Sequence, residues 1–248
     1  MQSHEPLVEV ERARALLSQA KSVAVLTGAG ISAESGVPTF RGAGGLWKQF
    51  RAEDLATPEA FRRDPRTCWE WYDWRRGLLA KVQPNAGHYA LAELERRKAR
   101  FTLITQNVDG LHVQAGSVAV LEIHGSIWTL RCTVCGREWK DRTVPLELLP
   151  RCEVCNGLAR PGVVWFGENL NPAIWAKAER AVRGADILLV VGTSAEVYPA
   201  AGLAPLARSA GAKVIEVNLE PTPISAFVNI ALTGHSGEIL PRLLLTST

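Results

Sequence analysis

Short, continuous apolar runs set the rhythm of this chain. Ser22–Thr27 (SVAVLT), Ala185–Val191 (ADILLVV) and Lys213–Asn218 (KVIEVN) are rich in β-branched and apolar residues without strict alternation. That is the pattern of strands covered on both faces, as in a parallel sheet. Phe101–Thr105 (FTLIT) and Ala119–Ile123 (AVLEI) read as two more strands. Helical stretches separate them, beginning with the amphipathic Glu9–Gln19. Strands alternating with helices predict an α/β fold built on a Rossmann-like, doubly wound parallel sheet.

Two stretches break the alternation. Pro58–Gln83 reads as helical and holds Trp69, Trp71 and Trp74, while Ile127–Arg160 carries two cysteine pairs and little apolar periodicity. Both are expected to leave the sheet and form a smaller second domain. In this reading residues 1–42, 85–125 and 160–248 build the sheet domain. Residues 43–84 supply a helical module and 126–159 a zinc ribbon.

Composition narrows the function. With 47% hydrophobic and 21% charged residues over 248 positions, the chain can bury a sizeable core. Its formal net charge is only +3, and the local cluster Arg96, Arg97, Lys98 and Arg100 reads as a solvated helix end. No basic stripe marks a nucleic-acid surface, so no direct nucleic-acid partner is expected. No secretory signal is visible at the N-terminus. The longest apolar run falls far short of the roughly 20 residues that span a bilayer. A cytoplasmic protein without membrane contact is expected.

Four of the five cysteines form Cys132-x-x-Cys135 and Cys152-x-x-Cys155, with sixteen residues between the pairs. Without an export signal this spacing points to metal rather than to disulfides. Four thiolates leave no open coordination position, so one structural zinc per chain is expected. Cys68 reads as an ordinary buried residue.

Directly after the first apolar run comes Gly28-Ala29-Gly30-Ile31-Ser32-Ala33. The first glycine permits a tight turn, the second lets backbone approach a pyrophosphate, and the small third residue allows close packing. Taken alone, the pattern equally fits an ordinary strand-to-loop turn. The acidic residue expected about 20 positions on is missing: Glu34 comes too early, and Glu53 and Asp54 do not end a strand. A hydride-transferring dehydrogenase is therefore disfavoured. Gln106, Asn107 and Asp109 follow one predicted strand and His124 ends another, which gathers polar groups at the sheet edge where ligands bind. A lone histidine there also fits a satisfied structural residue.

Read together, Gly28–Gly42 (GAGISAESGVPTFRG), Gln106–His112 (QNVDGLH), His124-Gly125, the paired CxxC, Pro161–Glu168 (PGVVWFGE), Gly192-Thr193-Ser194 and Asn218-Leu219-Glu220 run over nearly the whole chain. This ordered set closely resembles the sirtuin family. The resemblance implies NAD-dependent removal of acyl groups from lysines of proteins or peptides, yielding nicotinamide and O-acyl-ADP-ribose. His124 would be the general base, drawing a proton from a ribose hydroxyl, and an imidazole pKa near about 6.5 suits that task. Asn107, counted with His124 as catalytic, and Asp109 would line the nicotinamide pocket, with Gln106 on the ribose. Gly28, Ala29, Gly30, Ser32 and Ala33 would cradle the cofactor, and Phe40 and Arg41 would cover it. Gly192, Thr193, Ser194, Asn218, Leu219 and Glu220 would hold the adenosine half, with Ser236 closing over it. Val163, Val164, Trp165, Phe166, Gly167 and Glu168 would offer a strand edge to the substrate backbone; without the family, the segment is one more core strand.

Tyr72 and Arg75 lie three apart and share a helix face. As an isolated pair they read as an arginine stacked among tryptophans. The sequence WYDWRR, however, resembles class III sirtuins, whose Tyr-x-x-Arg pair reads a terminal carboxylate. Thr39, in place of the aspartate common before Phe-Arg in other classes, points the same way. Succinyl and malonyl groups are therefore expected to be favoured, with acetyl accepted. Two other functions compete: a protein ADP-ribosyltransferase using the same NAD site, and a nonenzymatic zinc-ribbon binder of nucleic acid, which the near-neutral charge disfavours.

Overall fold

A computed structural model describes residues 5–38, 46–47 and 50–244. Thr39, Phe40 and Arg41 lie outside the described residues. The first part of the chain runs α1 (Glu5–Gln19), β1 (Ser22–Thr27), α2 (Gly30–Ala33), β2 (Leu46–Trp47), β3 (Phe50–Arg51), α3 (Ala52–Leu55), α4 (Pro58–Arg63), α5 (Pro65–Leu79) and α6 (Ala86–Arg97). It continues through β4 (Arg100–Thr105), α7 (Leu111–Gln114), β5 (Val120–Glu122), β6 (Gly125–Cys132), β7 (Glu138–Lys140) and β8 (Ala159–Val163). The last part holds α8 (Pro172–Arg183), β9 (Ile187–Val191), α9 (Leu203–Ser209), β10 (Lys213–Asn218), β11 (Ile230–Thr233) and α10 (Ser236–Leu243).

Six strands form one sheet in the order β11-β10-β9-β1-β4-β5, and every neighbouring pair is parallel. All residues of β1 and of β9 are buried, which is why these runs read as continuously apolar rather than alternating. One face packs Val23, Val25, Leu103 and Leu189 against α1, α6 and α10. The other packs Ala24, Leu26, Leu188 and Val190 against α8 and α9. The chain starts in the middle of the sheet, builds outward to β5, and returns to build the other half from β9. Strand order thus reverses between β1 and β9, and such a reversal opens a crevice outside the carboxyl ends of the strands.

A separate three-stranded antiparallel sheet, β7-β6-β8, packs beside α4 and α5. Their shared core holds Phe61, Trp69, Trp71, Tyr72, Ile127, Trp128, Leu130, Val163 and Trp165. Arg76, fully buried, ties helix to sheet by donating to the carbonyls of Ile127 (2.9 Å), Asp141 (2.8 Å) and Thr143 (3.0 Å). Among the described residues no helix is long and apolar enough to cross a membrane.

Three details differ from the sequence reading. The helical stretch Pro58–Gln83 is two helices, because Pro65 starts a new one and Asp64 caps it, accepting from the Thr67 amide at 3.0 Å. Pro161–Glu168 is not extended throughout: β8 ends at Val163, and a turn follows through Gly167, whose φ is 84°. Finally β11, four residues long, escaped notice altogether.

Candidate functional site

Apart from the cysteine pairs and residues 161–168, which belong with the small sheet, the loops named by the sequence motifs leave the carboxyl ends of strands of the large sheet. Gly28 follows β1, Gln106 and Asn107 follow β4, His124 follows β5, Gly192 follows β9, Leu219 follows β10, and Ser236 lies just beyond β11. Residues spread over two hundred positions therefore meet along one rim. The parallel topology is the cause, since all strands end on the same side.

Where strand order reverses, the β1 and β9 loops touch. A Cβ on Gly28 would lie 2.7 Å from the Gly192 carbonyl oxygen, and one on Gly30 would lie 2.8 Å from the Gly192 Cα. Gly192 itself has φ 58°, and a Cβ there would lie 2.4 Å from the Ile31 nitrogen. The glycines are thus required for loop-on-loop packing, a demand the sequence pattern had placed on the cofactor. Beside them opens a cavity of ≈ 160 Å³ lined by Gly30, Ala33, Glu34, Gly192, Val217, Asn218, Leu219, Gly234, His235 and Ser236. Asn218 donates to the Thr193 carbonyl at 2.9 Å, and Gln106 donates to the Thr193 hydroxyl at 2.9 Å. Apolar walls with a few amide, hydroxyl and carboxylate groups suit a nucleoside. The site fits the adenosine half of a dinucleotide. Glu220 is exposed at the rim and Ser194 is half-buried.

Glu34 is a site residue that sequence reasoning set aside. Its carboxylate accepts from the Ser236 hydroxyl (2.8 Å) and the Gly237 amide (2.9 Å), fastening α10 to the glycine loop. The partners are 202 residues apart, so no local signal announces them.

Behind the glycine loop lies a buried polar cluster. Ser32 donates to Asp109 Oδ2 at 2.8 Å and accepts from Asn107 Nδ2 at 3.1 Å. Asn107 also donates to the Gly28 carbonyl at 3.0 Å. The Leu111 amide bonds the other Asp109 oxygen at 2.9 Å. Burial pushes the Asp109 carboxyl above its ordinary value, against the pull of these donors. His88 Nε2 stands 3.4 Å from the Ser32 hydroxyl, and the rings of His88 and His112 lie 4.8 Å apart. Burial drops His88 to about 4 and holds His112 well below its usual range, so both rings are neutral. His88 is the second residue that the sequence reading passed over.

His124 sits in the turn between β5 and β6, half-buried. Its Nδ1 lies 3.0 Å from the Gln106 carbonyl oxygen. A carbonyl only accepts, so Nδ1 carries the hydrogen and Nε2 keeps its lone pair. Among the described residues Nε2 has no hydrogen-bond partner. Burial lowers the ring's pKa from the ordinary value, while the Gln106 contact opposes the shift. The ring is a neutral base at neutral pH.

The segment after β8 runs alongside. The Val164 amide donates to the His124 carbonyl (2.9 Å), Phe166 to the Ala56 carbonyl (3.0 Å), and Glu168 to the Trp165 carbonyl (3.0 Å). The Trp165 amide donates to Glu168 Oε2 at 2.9 Å. Most amides of the stretch are therefore engaged internally. Phe166 is half-exposed, whereas the Trp165 ring is buried and donates Nε1–H to the Tyr72 hydroxyl at 2.8 Å. Tyr72 is buried too, and the Arg75 charge acts on both Tyr72 and Asp109. Arg75 also stacks on Trp71, 5.0 Å from the ring centroid. The sequence pair Tyr72 and Arg75 thus stands next to the Asp109 pocket.

The four cysteine sulfurs lie within 4.8 Å of one another, Cys132 to Cys155 at 3.4 Å and Cys135 to Cys152 at 3.8 Å, with no disulfide. Zinc–sulfur bonds of ≈ 2.3 Å set tetrahedral sulfurs about 3.8 Å apart. The amides of Val134 and Cys135 point at the Cys132 sulfur, at 3.4 and 3.5 Å. The donor set fits one structural zinc, and Cys132, Cys135, Cys152 and Cys155 would hold it. Cys68 is buried at a distance from them, in α5.

The chain is similar to known proteins over most of its length. The model of the Sir2 family matches residues 28–199. An NAD-dependent protein deacylase of Pyrobaculum aerophilum is 52% identical over 92% of this chain and 92% of its own. A solved Sir2 homologue–NAD complex superposes with TM-score 0.89 at 45% identity, covering 94% of this chain and 91% of that one. A Sir2 protein bound to an acetylated peptide superposes with TM-score 0.85 at 30% identity, covering 95% and 97%. Family model, relatives and architecture agree: the chain belongs to the Sir2 family.

Proposed function

We propose that this protein is an NAD-dependent protein-lysine deacylase in which His124 is the general base. The observation that carries the reading is the contact of His124 Nδ1 with the Gln106 carbonyl. It fixes the tautomer in which Nε2 accepts a proton at the carboxyl edge of the sheet. The relatives named as NAD-dependent protein deacylases and the solved NAD complex support the same assignment. NAD, when bound, supplies an activated ribose whose nicotinamide leaves as the acyl oxygen attacks. Asn107 and Asp109, fixed by Ser32, orient the nicotinamide end; Gln106 and Thr193 face the ribose; Asn218, Leu219, Glu34 and Ser236 hold the adenosine. Cys132, Cys135, Cys152 and Cys155 would hold one structural zinc, which would keep β6, β7 and β8 in place beside the His124 turn.

The substrate is an acylated lysine in a protein or peptide, in keeping with the solved complex with an acetylated peptide. Its backbone pairs with the groups after β8 that have no partner among the described residues, the Gly167 amide and the carbonyls of Val164 and Phe166. Tyr72 and Arg75 favour succinyl and malonyl over acetyl. A guanidinium grips a carboxylate by two parallel bonds, and a charged hydrogen bond contributes roughly 1.5–3 kcal/mol. Residues 1–42, 85–125 and 160–248 act as the cofactor-binding domain and 43–84 with 126–159 as the small one, except that β8 (Ala159–Val163), at the boundary, pairs within the small sheet. A reducing, cytoplasmic compartment suits the unpaired thiols. Nicotinamide release tests the reading: it should require both NAD and an acyl-lysine peptide, and release without peptide dependence would refute it.

A further inference from the structure

The Trp165 indole and the Tyr72 hydroxyl form a buried pair with one possible polarity. Indole Nε1–H only donates, so Tyr72 must accept at this 2.8 Å contact. Its own O–H proton is then left over, and among the described residues no acceptor takes it. Trp165 cannot swing away. The Arg160 guanidinium lies 3.4 Å from its ring centroid, and the Phe61 ring centroid is 5.3 Å away. Glu168 clamps the loop, accepting from the Trp165 amide at 2.9 Å and from Arg160 at 2.6 and 2.9 Å.

We propose that Trp165 is a positioning residue for acyl selectivity: it occupies one lone pair of the Tyr72 oxygen and so aims the phenolic O–H, as a donor, at the acyl carboxylate held by Arg75. The proposal rests on the acidic-acyl reading above and deepens it. Burial pushes the Tyr72 pKa up, so the phenol stays protonated through the neutral range and keeps its donor. Pairing with Trp165 also spares the buried hydroxyl the cost of an unmade acceptor bond while the subsite is empty. A neutral acetyl group offers no carboxylate to this donor and should be indifferent to its aim.

The test compares kcat/KM for succinyl- and acetyl-lysine forms of one peptide, with NAD, in wild type and in W165F. The succinyl-to-acetyl ratio should fall about fivefold to tenfold, through KM for the succinyl peptide, as one oriented hydrogen bond is lost. In a Y72F background W165F should leave the ratio where Y72F alone puts it. If W165F folds poorly, the isosteric analogue with sulfur in place of the indole N–H keeps the ring and removes only the donor. An equal loss on both acyl groups would make Trp165 merely structural and overturn the proposal. A wild-type preference for succinyl that survives W165F would overturn the proposal alone. A wild type without that preference would overturn the acidic-acyl reading, and this assignment with it.

Discussion

The Gln106 carbonyl oxygen stands 3.0 Å from Nδ1 of His124, so the backbone at the end of β4 decides which nitrogen of a ring after β5 is basic. Replacing His124 by Ala should lower kcat by roughly 10²–10⁴-fold, the usual contribution of a positioned general base. The neutral ring is the active form, and burial lowers its pKa below the ordinary 6.5. The acid limb of the pH–rate profile should therefore be centred below 6.5. A pH–rate profile with its acid limb centred above 6.5 would contradict this.

Stability should also depend on pH, through the ring pair behind the pocket. His88 is drawn down to about 4 and His112 well below its usual value, whereas the unfolded chain protonates both near about 6.5. Between roughly pH 6.5 and 4 the unfolded state binds more protons, so stability falls as pH falls. His88 alone accounts for up to about 3 kcal/mol across that window. Thermal melts should show Tm dropping on acidification, with a shallower slope in H88N.

The acidic-acyl proposal puts acyl choice on Arg75 of α5. Arg75→Met should abolish turnover of succinyl-lysine peptide and spare the acetyl peptide, measured as kcat/KM with NAD. Equal loss of both would remove Arg75 from the acyl subsite.

Metal loss should act at a distance. Cys152→Ala, or extraction of zinc by a strong chelator, removes a cluster whose apparent binding energy in small zinc peptides is about 10–16 kcal/mol. β6 carries Cys132 at one end and begins beside His124 at the other. Activity should vanish together with near-ultraviolet ellipticity from Trp128 and Trp139, and zinc content should fall from one per chain.

How far the sequence revealed this follows from where each signal lives. Ser22–Thr27 and Lys213–Asn218 coincide with β1 and β10 because strands buried on both faces show themselves in continuous apolar runs. β11 has alternate residues exposed over four positions, too short a stretch to stand out. The rim of the candidate site was legible because the glycine loop, Gln106, His124, Gly192 and Asn218 come at or after the ends of apolar runs and the parallel topology gathers those ends. Side-chain pairing was not. Tyr72 meets Trp165 across 93 positions and Glu34 meets Ser236 across 202, and nothing local to either partner encodes the other. For the same reason the glycine pattern does not disclose that Gly30 also packs against Gly192.

Mass spectrometry of the products from one acyl-lysine peptide and NAD addresses the central claim most directly. Free-lysine peptide, nicotinamide and O-acyl-ADP-ribose should appear in equal amounts with wild type, with the first and last lost in H124A. A peptide that keeps its acyl group and gains ADP-ribose would mean that the site transfers the sugar to an acceptor, with His124 not acting as the base of a deacylase.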